Sequence, residues 1–224
     1  MDSKLKVVKK QDNADVLVIT PLLPGHEISK ETKNSIKRND LKFEWISSEG
    51  NYNIPINTWN ALKEYKRIKR LPKYYIMIDN DIILGRHMLD RLHSVLNNSD
   101  DNIAFAYASF EFKGHINHKF PAVPYNLDRL VKANYISSNS MFKSNIVMDI
   151  ELVMDDHYKR LLDWAFLLKL AGKGYYGTPV SSANFVAQSS AEDISAGSQE
   201  DYRLKAMRVY QDFIVPLISQ STYY

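Results

Sequence analysis

The chain has 224 residues, 45% of them hydrophobic and 25% charged, which is the balance of a folded protein able to build its own core. It has no cysteine, so a disulfide framework, a thiolate nucleophile and cysteine-bound zinc or iron–sulfur clusters are excluded, and any metal must sit on oxygen or imidazole. Lysine and arginine number 29 against 26 acidic residues, and a net charge of +3 is too mild to point to nucleic acid.

Lys4, Lys6, Lys9 and Lys10 precede the apolar run from Val16 to Leu23 and so imitate a secretory leader. Asp12 and Asp15 interrupt the approach, Thr20-Pro21 breaks the run, and no small-residue cleavage site follows. The run is therefore read as a first strand, a cytoplasmic location is expected, and no stretch approaches the roughly 20 apolar residues of a membrane span.

Val16–Thr20 is a continuous β-branched run, the mark of a strand buried on both faces, and Pro21, Pro24 and Gly25 are expected to end it. Ile28, Thr32 and Ile36 recur at helical spacing. Phe43–Ile46 reads as a second strand stopped by Ser47-Ser48-Glu49-Gly50. Leu62, Tyr65 and Ile68 predict a helix ending near Pro72, and Tyr74–Ile78 is the clearest strand. Leu89, Leu92 and Leu96 predict another helix, and Ile103–Ser109 a further strand. The first half thus reads β-α-β-α-β-α-β, which implies a largely parallel sheet with helices on both faces. The second half is less regular. It has a loop-rich stretch over 113–124, an extended segment Tyr135–Phe142, a helix near His157–Ala171 followed by Gly172, Gly174 and Gly177, and a last helix carrying Met207, Tyr210, Ile214 and Leu217 in register.

The informative segment is Tyr74–Ile83, where a buried strand runs into Asp79-Asn80-Asp81. In an open parallel sheet, ligands bind beyond the carboxyl ends of the strands. Residues i and i+2 of an extended backbone project to one side. Two acids held together repel unless a cation lies between them, and hard divalent cations take oxygen ligands and share them with phosphates. One reading is a metal–diphosphate site; the other is a solvated Asp-Asn-Asp turn closing a strand.

This segment resembles the Asp-x-Asp motif of GT-A-fold glycosyltransferases, most like the family 2 type, with Leu84, Leu89 and Leu92 following as in that family. The resemblance spans nearly the whole chain. Residues 16–25 (VLVITPLLPG) match the first strand and the start of the donor pocket. Gly50, Asn51, Asn57 and Asn60 stand where the family has a glycine- and asparagine-rich stretch. Asn134–Phe142 resembles the segment before the acceptor site, and Leu162-Asp163-Trp164 with the glycines after it resembles the family's Glu-Asp-Trp helix.

The resemblance implies an α/β GT-A fold, that is, a Rossmann-like, mixed, mostly parallel central sheet with helices on both faces. It implies one domain over 1–224, with a nucleotide-sugar half over about 14–110 and an acceptor half with the C-terminal helix over about 111–224. It further implies a metal-dependent transferase moving one sugar from a UDP- or GDP-sugar to a hydroxyl of a glycan, lipid-linked or protein acceptor. Asp81 would be the main Mn²⁺ or Mg²⁺ ligand, and Asp79 would support the metal and contact the sugar or ribose. Thr20, Pro21, Ser48, Glu49, Asn57 and Asn80 would line the donor site. Asp163 would be the general base of an inverting reaction, and Asn139 and Trp164 would face the acceptor, with plain helix–sheet packing as the other reading of Trp164. No nucleic acid and no transmembrane segment are expected, and a homo-oligomer is compatible with the pattern.

The sequence departs from the family in three places. The second strand ends in Ser47-Ser48-Glu49 where an acid usually reads the base, so Ser48 or Glu49 would substitute. Leu162 replaces the acid before the proposed base, and Gln188-Ser189-Ser190 stand where a late histidine often helps hold the metal. Two other functions stand beside the transferase. One is a non-catalytic GT-A-like domain binding a sugar or a partner. The other is a haloacid-dehalogenase-type phosphohydrolase, whose Asp-x-Asp normally sits on the first strand. His115 and His118 are read as part of a mobile loop, and Lys63–Arg70 as a solvated helix face. The three late glycines follow a helix and so make no dinucleotide fingerprint.

Overall fold

A computed structural model describes residues 4–50, 54–115, 117–150, 158, 161–189 and 199–221. Asn51, His157 and Ser190 of the readings above lie outside the described residues. The strands are β1 (Lys4–Lys9), β2 (Val16–Leu22), β3 (Phe43–Glu49), β4 (Tyr74–Met77), β5 (Ile82–Leu84), β6 (Ile103–Gly114), β7 (His118–Phe120), β8 (Met141–Lys143) and β9 (Tyr176–Ser189). The helices are α1 (Lys30–Lys37), α2 (Ile54–Ile68), α3 (Met88–Asn97), α4 (Leu127–Leu130), α5 (Ser144–Ile150), α6 (Leu162–Gly172), α7 (Gln199–Val209) and α8 (Val215–Ser221), with a π-helical turn over Tyr210–Ile214 joining the last two.

One mixed sheet runs in the order β1-β3-β2-β4-β8-β6-β9-β5, with β7 paired to β6. Its parallel pairs are β2–β3, β2–β4 and β6–β9. Antiparallel pairs join β1 to β3, β8 to both β4 and β6, β9 to β5 and β7 to β6, so the sheet is mixed, with its parallel pairing in two blocks. The strand alternation explains the layers. Leu17 and Ile19 face a cluster with Trp59, Leu62 and Tyr65 of α2 and with Trp164, Phe166 and Leu167 of α6. Val16 and Val18 face the opposite cluster, with Ile36 of α1 and Met88, Leu89 and Leu92 of α3. Helices therefore cover both faces, and the mixed α/β fold expected from the pattern is the one observed.

Several boundaries differ from the sequence reading for local reasons. β2 continues through Pro21 to Leu22. Successive strand residues bond to alternate neighbours; Ile19 accepts from Ile78 on the β4 side, and Leu22 from Gly50 on the β3 side. Pro21 thus has its missing N–H on the β4 side, where pairing has already ended at Ile19↔Met77. β3 extends to Glu49 instead of stopping at Ile46, because Ser47 and Ser48 pair with Thr20 and Pro21. Tyr135–Phe142 is strand only from Met141, and the irregular residues before it are braced by backbone N–H groups donating to the side chains of Asn134 and Ser137. The 14-residue β9 was not expected. Its sequence YGTPVSSANFVAQS carries turn composition, and its register against β6 jumps between Val180 and Asn184, where the extra residues bulge out. In the last helix, Val209 and Ile214 are buried while Met207 and Tyr210 are exposed, because the wider π turn rotates the face that meets the core. Among the described residues, no helix is long and apolar enough to cross a membrane.

Candidate active site

β4 ends at Met77, and the chain turns at Asp79–Ile82, where the Ile82 N–H donates to the Asp79 carbonyl (3.2 Å), before β5 begins. The turn is held from both sides. The Asn80 carbonyl accepts from the Ser29 N–H (3.3 Å) and from Thr32 Oγ1 (3.0 Å), which ties it to the N-terminus of α1. The Asp81 carbonyl accepts from the Gln188 N–H of β9 (3.5 Å). Ser29 caps α1 by accepting from the Thr32 N–H (3.0 Å). The Asp-x-Asp turn is thus fastened to a helix and to the long late strand, not left as a free solvated tip.

The Asp79 carboxylate is gripped by Asn139, which is only 4% exposed. Asn139 Nδ2 donates to Asp79 Oδ2, and Asn139 Oδ1 accepts from the Asp79 N–H, both at 3.2 Å. Asp79 Oδ1 is buried with no hydrogen-bond partner. Burial first, then the nearby charges of Asp81 and, more weakly, Asp163 push the Asp79 carboxyl up to about 7, against the opposing Asn139 hydrogen bond. That influence brings the three acids into one electrostatic neighbourhood at the carboxyl end of the parallel strands.

Asp163 lies in the first turn of α6. Its Oδ1 accepts from the Trp164 N–H (2.9 Å), and its Oδ2 accepts from Asn134 Nδ2 (3.0 Å). Burial pushes its carboxyl up to about 6, and these hydrogen bonds partly oppose the rise. Asp163 borders a small, mainly apolar cleft with Thr58, Met77, Ser137, Ser138 and Phe166. Trp164 is 4% exposed, and its Nε1 donates to the Leu130 carbonyl (2.7 Å), so the structure displays the packing half of the two readings of this residue.

Other expected donor-site residues hold the scaffold. Thr20 is fully buried, and its Oγ1 accepts from Trp45 Nε1 (3.1 Å). Pro21 is buried within β2. Ser48 is fully buried and donates to the Asn57 carbonyl (3.1 Å). Asn57 Nδ2 reaches the Gly50 and Leu22 carbonyls at 3.1 and 3.4 Å, which joins α2 to the ends of β2 and β3. Only Glu49 of this group is exposed, at the end of β3. Asn134 as the hydrogen-bond donor to Asp163 and Thr58 as a wall of the cleft are functional-site residues that the sequence pattern does not single out. The spacing of Asn134 and Asn139 in a serine-rich segment was the only signal for the first.

Among the described residues, no group of three or more His, Asp or Glu side chains is gathered to hold a metal. His118 stacks edge-on against Phe120, and Lys69 and Arg67 of the basic run pair with Glu44 and Glu64. The Asp79–Asp81 pair is a two-carboxylate, all-oxygen donor set with one buried bare oxygen. That suits a hard cation which draws its remaining ligands from water and phosphate.

The fold is that of GT-A-like glycosyltransferases. S. aureus TarS, 14% identical, superposes with a TM-score of 0.61 over 88% of this chain, which spans only 40% of the length of TarS. Residues 1–349 of TarS in complex with UDP-GlcNAc, 13% identical, give a TM-score of 0.63 over 88% of this chain and 66% of that one. The same portion in complex with UDP gives 0.61 at 14% identity. No family model and no curated protein matches the chain in sequence.

Proposed function

We propose that the protein is a glycosyltransferase moving one sugar from a nucleotide-sugar donor to an acceptor hydroxyl. The observation that carries this reading is the end of β4, where Asp79 has a buried, unpartnered carboxylate oxygen, Asp81 follows two residues on, and Asp163 lies on the cleft that Met77 also lines. The fold supports it, and the UDP and UDP-GlcNAc complexes of TarS make a UDP-sugar the first donor to try. Asp79 and Asp81 would hold a Mn²⁺ or Mg²⁺ ion, which when bound would supply charge neutralisation at the departing diphosphate. Glu49, exposed at the end of β3, is the remaining candidate for reading the nucleotide base. Asp163 accepts the proton of the acceptor hydroxyl as that oxygen attacks the anomeric carbon and the nucleoside diphosphate leaves, a direct displacement that inverts the centre. A carboxylate held near 6 is ionised at neutral pH and more basic than an ordinary aspartate, as a general base requires. The acceptor side then falls to residues from about 111 onward in a single unit.

A second reading, a non-catalytic sugar-binding domain, rests on the internal engagement of Thr20, Ser48 and Asn57 and on Leu162 beside Asp163. Thermal-shift measurements with UDP-, GDP- and dTDP-sugars, with and without Mn²⁺, test donor binding first. Asp81→Ala is expected to abolish Mn²⁺-dependent UDP release. Asp163→Asn is expected to keep donor binding by calorimetry and to lose about 10²-fold or more in transfer. Unchanged turnover in either variant removes that residue from the mechanism, and a donor that binds without turnover favours the second reading.

A further inference from the structure

The two carboxylates of the proposed reaction, Asp79 after β4 and Asp163 in α6, are 84 positions apart in sequence, yet both are held from one short segment between α4 and β8. Asn139 meets Asp79 with both ends of its amide, donating to Oδ2 and accepting from the N–H. Asn134 also uses both ends. Its Nδ2 donates to Asp163 Oδ2, and its Oδ1 accepts from the Ile136 N–H (3.0 Å). The residues between them form a self-braced turn. Ser137 Oγ accepts from the Asn139 N–H (3.1 Å), and Ser140 Oγ donates to the Ser137 carbonyl (2.6 Å). Ser137 and Ser138 line the cleft beside Asp163.

We infer that Asn134 and Asn139 are positioning residues, and that the 134–140 segment is one strap that aims both carboxylates: Asn139 fixes the rotamer of Asp79 and Asn134 that of Asp163. The inference rests on the proposed function for what the carboxylates do, but not for how they are held. With Oδ2 and the N–H of Asp79 both engaged, Oδ1 alone is left to face a ligand. An asparagine is required at 139, because an aspartate there would set one carboxylate against another and lose the donor. Because the turn is braced internally, a shift of the strap moves both acids together, which would couple donor seating to the orientation of the base.

The test has two independent arms. In the first, chemical denaturation of the full chain gives double-mutant cycles for Asn139→Ala with Asp79→Ala and for Asn134→Ala with Asp163→Ala; Asp79→Ser serves if the alanine variant does not fold. Each pair is expected to depart from the product of its single effects on the unfolding constant by at least threefold, and additive pairs overturn the strap. In the second, UDP affinity with Mn²⁺ is read by calorimetry, and UDP release from UDP-GlcNAc is read as a rate. Asn139→Ala is expected to weaken UDP binding at least tenfold, and Asn139→Asp further. Asn134→Ala is expected to hold UDP affinity within threefold and to lose at least tenfold in release. Identical profiles for the two asparagine variants would mean a merely structural role and overturn the inference. Coupled cycles in a wild type that binds no nucleotide would overturn the proposed function and leave the strap standing.

Discussion

Asp79 is the residue at which fold and function pull in opposite directions. Burial and the neighbouring acids raise its carboxyl to about 7. Between about pH 4, the usual value of the unfolded chain, and pH 7, the folded protein therefore binds the extra proton, and stability falls as pH rises through that window. Below it the favourable protonated form is fully present; above it the folded state carries a largely desolvated charge that Asn139 holds. Asp79→Asn keeps the shape and removes the charge, so at pH 8 it is expected to stabilise the protein by on the order of 2 kcal/mol while the pH slope between 4 and 7 flattens. Urea denaturation of both proteins at pH 5 and pH 8 checks this, and a variant no more stable than wild type at pH 8 would show that the charge is not costly. The sequence pointed to this residue as the end of an apolar run, Tyr74–Ile78, but the pattern alone left a solvated turn as open as a metal site, and the family resemblance favoured the latter. It could not assign the supporting residues. Thr20, Ser48 and Asn57 are polar residues near the strand ends, and nothing in one sequence tells a side chain facing a ligand from one spent on Trp45 or on a neighbouring carbonyl.

Elements with a clean period were legible, and those built on irregular chemistry were not. β2 and β4 follow from continuous apolar runs and α3 from a leucine stripe. β9 hides because its bulge and its Gly, Pro, Ser and Asn content look like a loop, and its partner β6 therefore seemed to end at Ser109 when it runs on to Gly114. Yet β9 is what fastens the Asp-x-Asp turn, through the Gln188 N–H and the β5 ladder. Gly177 shows why the start of β9 has the composition it has. A Cβ there would lie 2.2 Å from the Phe105 ring, and that ring packs in turn against Phe142 and Tyr107 in the core. Gly177→Ala is expected to cost about 1–3 kcal/mol by overpacking, read as a lower urea midpoint with an unchanged slope. Gly174→Ala separates packing from backbone strain. It stands at φ +79 with open space around its Cβ position, so it should cost about 1 kcal/mol from conformation alone.

Across the molecule, the sheet divides into a parallel block β3-β2-β4, which delivers Asp79 and Asp81, and a second block around β6 and β9, which closes over the turn from the other side. Asp163 comes from a helix beneath the sheet, and the strap before β8 bridges it to the first block. The site is therefore a meeting of chain segments that the fold must assemble, and ligand binding there should report on global stability by mass action. A cation held by Asp79 and Asp81 needs both carboxylates ionised, and Asp79 loses its proton only near pH 7. Binding then competes with a proton at pH 6 and scarcely at pH 8. Addition of Mn²⁺ is expected to raise the melting temperature more at pH 8 than at pH 6, and UDP should enlarge the shift by supplying phosphate oxygens. The increment should vanish in Asp81→Ala, and in Asp79→Asn it should shrink at both pH values. Equal shifts at the two pH values in the wild type, or a shift that survives in Asp81→Ala, would place the cation elsewhere on the protein and leave the acid pair without the ligand assigned to it.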